Sequence, residues 1–381
     1  MKALVLSTNN YRSFPSRKQR FAHRLAERGY DVLYVEAPVT WLAAVHPKQW
    51  WKLNAWRSGT HQQGDHMWTA SPTPWLPYFK KYERVADHDS LTYYRYLWSL
   101  AGDWTTEAGI ALTYLPFVPR PLQLLGAPVV YDCVDDHSAY PGFIDKATVE
   151  RLEARTADIA SALIATNETI AAKFSSHEDK LSLIQNGVDH ELFAAPARAW
   201  LDTLTTLPRQ RKILYVGAMH EWFDVHTLGV VAAAYPDWQI DCFGDALPAV
   251  RDELAVHANV VFKGTVSQAV IAGLAPQYDI ALIPFVESPL TAGVDPLKFY
   301  EYVAAGLPVV SSSIHALGAF GEEMVRLASS PEEFVTAMQD TIDTDSVELR
   351  RYRVQSSKRF DWSFRIAEFD RVLDTLIPHQ S

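Results

Sequence analysis

Cysteine is nearly absent from this 381-residue chain: only Cys133 and Cys242 occur, too far apart for metal-ligand spacing. Two such thiols build neither a disulfide framework nor a zinc site, and they suit a reducing compartment. Long hydrophobic runs are also missing. The N-terminal run Ala3 to Leu6 is too short for a signal-peptide core and reads as a first strand. No stretch approaches the roughly 18 apolar residues of a membrane span, so a cytoplasmic protein is expected, with attachment at the inner membrane face left open. A basic excess is lacking too: 35 Lys and Arg stand against 45 Asp and Glu, a net charge of -10. Phosphate neutralisation needs clustered cations, so a nucleic-acid groove is excluded as the main function.

What is present fits a soluble α/β protein. Hydrophobic residues make up 48% of the chain and charged ones 21%, and the length suggests two or three domains with a substantial core. Short apolar runs alternate with helical segments, as in parallel sheets with crossover helices. Six runs fall in the first half: Ala3–Leu6, Val32–Val35, Ile110–Tyr114, Val129–Asp132, Ala162–Ala165 and Leu181–Ile184. Six more follow: Ile213–Val216, Gln239–Phe243, Val260–Phe262, Ile280–Ile283, Pro308–Ser311 and Val325–Leu327. Two doubly wound units result, and the proline- and charge-bearing stretch 194–211 reads as their linker. Such sheets bind ligands outside the carboxyl ends of their strands.

The most informative stretch is PLTAGVDPLKFYEYVAAGLPVVSSS, residues 289–313. Asp295 followed by Pro296 signals a helix start, with Asp295 as N-cap, and Gly306 signals its end. Lys298 and Glu301, three residues apart, share one helical face. Their ammonium and carboxylate suit a nucleotide sugar, the cation meeting a diphosphate and the anion accepting ribose hydroxyl protons.

With this stretch and four others in order, the chain resembles GT-B glycosyltransferases of the GT4 type, particularly teichuronic acid and exopolysaccharide enzymes. The other four are KQRFAHRLAERGYDVLYVEAP (18–38), VVYDCVDDHSAYPGF (129–143), NGVDHELF (186–193) and LYVGAMHEWFD (214–224). The resemblance implies two Rossmann-like domains facing a cleft. The acceptor-side domain is placed at 1–195 and the nucleotide-sugar domain at 205–358, with a C-terminal helix, about 360–381, packing back on the first. It implies a hexosyltransferase-type enzyme that moves a sugar from a nucleotide-sugar donor to a growing surface polysaccharide or lipid-linked glycan. A catalytically silent nucleotide-sugar-binding scaffold, or an epimerase or phosphorylase on the same fold, are the alternatives.

Donor binding is assigned to Gly217, Lys298 and Glu301. The chain departs from the family pattern in having Gly293 where a first glutamate usually stands, and in lacking the customary Arg and Lys after the strand Ile213–Val216. Pro296 also lacks an N–H for phosphate, which leaves that duty to Lys298 or to the N–H groups of Thr291 to Val294. The acidic run Asp132, Asp135, Asp136 and His137 follows a strand, and paired carboxylates can poise one as a base. Asp135 is the first choice, with Asp136 and His137 behind it. The resemblance implies that the loop before the first helix faces the acceptor, which assigns Arg17 and Arg20 to it, where an Arg suits a lipid-linked pyrophosphate. No cofactor and no metal is expected, because a cationic side chain can serve the leaving group.

One further feature stands apart. Eight of the 12 Trp lie between Trp41 and Trp104, interleaved with Lys48, Lys52, Arg57, Lys80, Lys81 and Arg84. The rings either pack a local helical subdomain or form a surface for a membrane or an undecaprenyl-type acceptor.

Overall fold

The computed structural model describes residues 1–45, 47–140 and 144–377, Lys48 without its side chain. The Lys48 ammonium, Pro141 to Phe143 of the acidic motif, and positions 378–381 of the expected C-terminal helix therefore lie outside the described residues. Two compact units emerge: Met1–Ile184 with Ile366–Ser381, and Gln185–Arg365. A helix, His190–Leu201, stands where the composition suggests a linker, and it belongs to the second unit. Pro196 lies inside it, yet Phe193, Ala194 and Ala197 are buried. Tertiary packing of that face outweighs the poor local helix signal.

The first unit is built on an eight-stranded sheet, with β1 (Lys2–Leu6), β2 (Asp31–Val35), β3 (Thr60–Gly64), β4 (Met67–Ala70), β5 (Ala108–Thr113), β6 (Val129–Cys133), β7 (Ala162–Ala165) and β8 (Leu181–Leu183). Their order is β3-β4-β2-β1-β5-β6-β7-β8, parallel except for the β3–β4 pair. Both faces of this sheet are covered. Leu4 and Leu6 join one core with Leu33, Tyr93 and Tyr131, while Ala3 and Val5 join the other with Phe21, Tyr34 and Phe369. Alternate strand residues point to opposite faces, so double burial explains the unbroken apolar runs.

The helix Trp362–Leu376 contributes its second half to this unit. There the Phe369 ring stacks on Phe21 with centroids 4.1 Å apart. The Arg24 guanidinium meets Asp370 at 2.8 Å and that of Arg28 meets Asp374 at 2.6 Å, fixing the same face by charge.

The second unit carries a parallel six-stranded sheet: β9 (Lys212–Val216), β10 (Gln239–Phe243), β11 (Val260–Gly264), β12 (Ile280–Ile283), β13 (Val309–Ser312) and β14 (Val325–Ala328). The order β11-β10-β9-β12-β13-β14 reverses direction beside β9, the place where such sheets bind ligands. All twelve strands expected from the apolar runs are found. The β3–β4 hairpin is the addition. Its polar strand THQQG lacks the apolar pattern, because β3 is a sheet edge with its side chains exposed or half-buried.

Phe369→Ala should destabilise the first unit by about 3 to 5 kcal/mol, the usual cost of deleting a buried aromatic ring. A urea denaturation midpoint unchanged by this substitution would show that the stacked pair contributes no stability.

Candidate functional site

The second unit gathers its chemistry where β9 and β10 end. Gly217 follows β9 with φ +143° and Gly244 follows β10 with φ +134°, a region that glycine enters without steric cost. Space is as restrictive as the torsions. A Cβ on Gly217 would lie 2.5 Å from Lys298 Nζ, and one on Gly244 would fall on the Gly217 carbonyl oxygen. The crossing therefore admits only bare backbone.

Lys298 reaches this crossing from the helix Leu297–Ala304. Its ammonium donates to Tyr215 Oη at 3.1 Å and sits 4.2 Å from the Tyr215 ring centre and 4.7 Å from that of Phe285. Burial lowers its pKa to about 7, although the Glu301 carboxylate opposes the shift. Glu301, 6% exposed, accepts a hydrogen bond from Gln268 Nε2 at 2.6 Å. The same helix is fastened to β9 by the Val216 N–H, which donates to Tyr302 Oη at 2.7 Å. Lys298 and Glu301 thus face packed structure at the end of the sheet rather than open solvent.

The helix begins differently from the expectation. Pro296, not Asp295, is its N-cap, and no side chain caps it. Asp295 is drawn away by two stronger partners: it accepts from the Asn186 N–H at 2.6 Å and from Tyr300 Oη at 2.7 Å. The N–H groups suggested for phosphate are also engaged. Those of Thr291, Ala292, Gly293 and Val294 serve the short helix Pro289–Ala292 and its ends. Phe223 is buried against Tyr215 and Trp222 is half-buried, donating to the Ala218 carbonyl.

In the first unit the acidic run separates into distinct roles. Asp132, fully buried in β6, pairs with Arg17 Nε at 2.8 Å. Asp136 accepts from Lys173 at 2.8 Å and from Ser138. Its burial raises the carboxyl pKa, but these bonds outweigh that and hold it below the ordinary value. Lys173 also meets the buried Glu153 at 2.7 Å, so Asp136 is anchored to the protein as a carboxylate.

Asp135 is half-exposed, and its charge acts on both Lys18 and the Tyr140 hydroxyl. His137 is 6% exposed, with its ring stacked 6.0 Å from Tyr140. Burial, reinforced by Lys80, Lys18 and Lys173, lowers its pKa to about 3, and its Nε2 finds no hydrogen-bond partner among the described residues. It is a neutral imidazole.

Arg17 and Arg20 are placed differently from each other. Arg17 is 2% exposed, and besides Asp132 it donates to the Ile184 carbonyl at 2.7 Å. That geometry ties the start of the helix Arg17–Glu27 to β6 and to the residue after β8. Arg20 is half-buried on the helix Arg17–Glu27. Lys18, between them, is the residue brought beside Asp135, 7% exposed and lowered in pKa by burial.

Gly244, Tyr215, Gln268, Phe285 and Tyr302 are absent from the sequence assignment. Only Gly244 has a visible signal, since it repeats the strand-then-glycine arrangement of Gly217. Among the described residues no group of three or more His, Cys, Asp or Glu is placed to hold a metal ion, and no helix is long and apolar enough to cross a membrane.

Known proteins are similar to this chain in sequence and in fold. Residues 210–344 match the family model described as Glycosyl transferases group 1. A relative from Bacillus subtilis (strain 168), named "Putative teichuronic acid biosynthesis glycosyltransferase TuaH", is 24% identical over 254 residues. That match covers 62% of this chain and 64% of the relative, less than two thirds of its length. Among solved structures, sucrose-phosphate synthase from Thermosynechococcus elongatus is similar with a TM-score of 0.69 and 16% identity, covering 98% of both chains. Anabaena Alr3699/HepE in complex with UDP and glucose has a TM-score of 0.67 and 14% identity over 99% of this chain and 100% of its own. An E. coli structure described as trehalose-6-phosphate bound with UDP-2-fluoro glucose has a TM-score of 0.71 and 11% identity over 100% of both. These likenesses show the fold: two Rossmann-like units of the GT-B type.

The enclosure of Lys298 has a measurable consequence in the free protein. Unfolded, this lysine keeps its proton to about 10.5; folded, it loses it near 7. Between those values the unfolded chain binds more protons, so rising pH stabilises the fold through this group. Relative to Lys298→Met, the native chain should gain stability from pH 7 to pH 10. Parallel stability profiles for the two proteins would show the ammonium to be solvated.

Proposed function

We propose that this chain, a GT-B protein with a glycosyl transferases group 1 domain in its second unit, is a nucleotide-sugar-dependent glycosyltransferase. Its acceptor is a growing surface polysaccharide or a lipid-linked glycan, extended from the cytoplasmic side. The observation that carries the reading is the Lys298 ammonium enclosed beneath Gly217 at the sheet's switch point. An ammonium kept partly desolvated is poorly satisfied alone, and a diphosphate approaching the bare backbone of Gly217 would restore its charge partner. Glu301, already oriented by Gln268, supplies an acceptor for ribose hydroxyls. Two neighbours described as complexes with UDP or a UDP sugar support a donor of that class.

The transfer moves the anomeric carbon from a diphosphate oxygen to an acceptor hydroxyl oxygen, and the hydroxyl proton must leave. Lys298 stabilises the departing diphosphate charge as it develops, which is where electrostatic catalysis acts most strongly. Asp135 receives the proton. It is better suited than Asp136, whose Oδ1 accepts from Lys173 and Ser138 and whose pKa these bonds lower, and better than His137, whose surroundings oppose protonation. Lys18 is the cation on which the Asp135 charge acts. His137 Nε2 offers a neutral hydrogen-bonding atom to a sugar hydroxyl.

Lys298→Ala should lower kcat/KM by about a hundredfold or more, corresponding to about 2.7 to 4 kcal/mol of transition-state stabilisation. A melting-temperature panel of UDP, GDP, ADP and dTDP sugars identifies the donor for this assay, since a ligand bound only to the native state raises Tm. Binding of a sugar nucleotide without release of nucleoside diphosphate over any acceptor would replace the enzyme reading with the silent scaffold. Unaltered turnover in the variant would remove Lys298 from the mechanism.

A further inference from the structure

The first unit holds a cavity of about 370 Å³ beside the carboxyl ends of β2 and β4, with Lys52, Lys80, Trp51, Leu42, Phe79 and Glu36 in its wall. Lys80 is its unusual member. The ammonium lies 5.0 Å from the Phe117 ring and 5.8 Å from those of Phe79 and Tyr140. Among the described residues no carboxylate pairs with it, and burial lowers its pKa. A cation held by ring faces alone recovers only part of its lost hydration. Lys52 likewise meets a ring, that of Trp51, and no carboxylate among the described residues. Glu36, the acid in the wall, is occupied by the Tyr11 N–H and the Ser71 hydroxyl.

The cavity's outer wall is continuous with an apolar surface. Trp41, Leu42, Val45, Trp50 and Trp51 are 44–69% exposed. They occupy the short segments Trp41–Val45 and Trp50–Ala55, joined by a bond from Trp50 Nε1 to the Ala44 carbonyl at 2.7 Å. Leu42 and Trp51 belong both to this surface and to the cavity wall. Charge selects the occupant. From Ala37 to Gly64 the sequence contains no Asp or Glu, in a chain carrying 45 of them. Hydrocarbon alone would leave the two ammonium groups unmet, and a free anion would leave the aromatic surface exposed.

We propose that this cavity is a binding site for a prenyl phosphate or pyrophosphate, with Lys80 and Lys52 on the phosphate oxygens and Trp51 and Leu42 on the hydrocarbon. The site makes the acceptor of the proposed reaction an anionic amphiphile, and in that respect rests on the reading above. Charge-assisted bonds fix the head, and burial of the chain against exposed Trp and Leu supplies the apolar contribution.

Calorimetry on the full chain tests this with farnesyl pyrophosphate below its micelle concentration, inorganic pyrophosphate, farnesol, and UDP as a control. The prenyl pyrophosphate should bind at least tenfold more tightly than pyrophosphate or farnesol, and Lys80→Met should weaken it tenfold or more while leaving UDP affinity unchanged. Lys52→Met, on an exposed short helix, gives the same reading if Lys80→Met does not fold. Equal affinity in native and lysine variants overturns the proposal. So does pyrophosphate alone binding as tightly, which would mean a free-phosphate site, or retention only by phosphatidylglycerol vesicles, which would mean a bilayer surface. Loss of UDP binding in the native chain would sink the donor reading and leave the cavity result standing.

Discussion

The second unit is organised around an ammonium group placed where backbone, not side chain, must be its neighbour. Lys298 occupies the space that a Cβ on Gly217 would need, and Gly217 in turn occupies the space that a Cβ on Gly244 would need. Three positions distant in sequence are therefore fixed together. An ammonium against aromatic faces gains some electrostatic attraction, but its pKa near 7 shows that the enclosure still favours the neutral form. On the proposed function, an approaching diphosphate supplies the charge partner that this enclosure lacks. Tyr302, Tyr215 and Phe285 belong to the same arrangement. They set the position of one helix against the end of one strand.

The first unit uses a different device. Its loop after β6 carries several acids, and the surrounding lysines give each a separate task. Lys173 ties Asp136 and Glu153 together, Arg17 neutralises Asp132 within the sheet, and Asp135 is left half-exposed. Neighbouring carboxylates would otherwise raise one another's pKa values. Here specific cations meet two of them, and His137 is kept from charging by burial first and by Lys80, Lys18 and Lys173 after it. A sequence motif with four candidate acids and bases reduces, by packing, to one carboxylate and one neutral imidazole.

These details divide what a linear sequence can disclose from what it cannot. Doubly buried parallel strands require apolar residues on both faces, so β1, β5 to β7 and β9, β10 and β12 are legible as runs. Lys298 with Glu301 is legible because helix periodicity is local. The cap of that helix is not: Asp295 finds Asn186 and Tyr300, and Asn186 lies far away in sequence. A local rule assigns Asp295 to the nearest free N–H, whereas tertiary structure offers it a different one. The partner of Arg17 is hidden for the same reason, since Asp132 reaches this helix residue from a strand far away in sequence. The tryptophan-rich insertion is packed only in part. Trp75 is buried and Trp68 packs against Trp104, while Trp41, Trp50, Trp51 and Trp98 remain about half exposed.

Arginine and lysine are put to different uses in this interior. The buried arginines lock the frame: Arg17 takes Asp132, while Arg350 and Arg353 share Asp345 at 2.7 and 2.6 Å. A guanidinium suits this duty because its planar fork satisfies several acceptors at once, and Arg350 also donates to the carbonyls of Pro276, Tyr278 and Asp279. Lys298 and Lys80 instead rest against rings. Lys173 is the exception, bound to two carboxylates, and it is the lysine whose pKa is raised by them against the effect of burial. In a chain with more acids than bases, the Lys80 ammonium has no carboxylate partner among the described residues, and the Lys298 ammonium has only the charge of Glu301 set against the effect of burial. On the readings proposed above, a bound anion meets each of these lysines, one in each unit and each beside strand carboxyl ends.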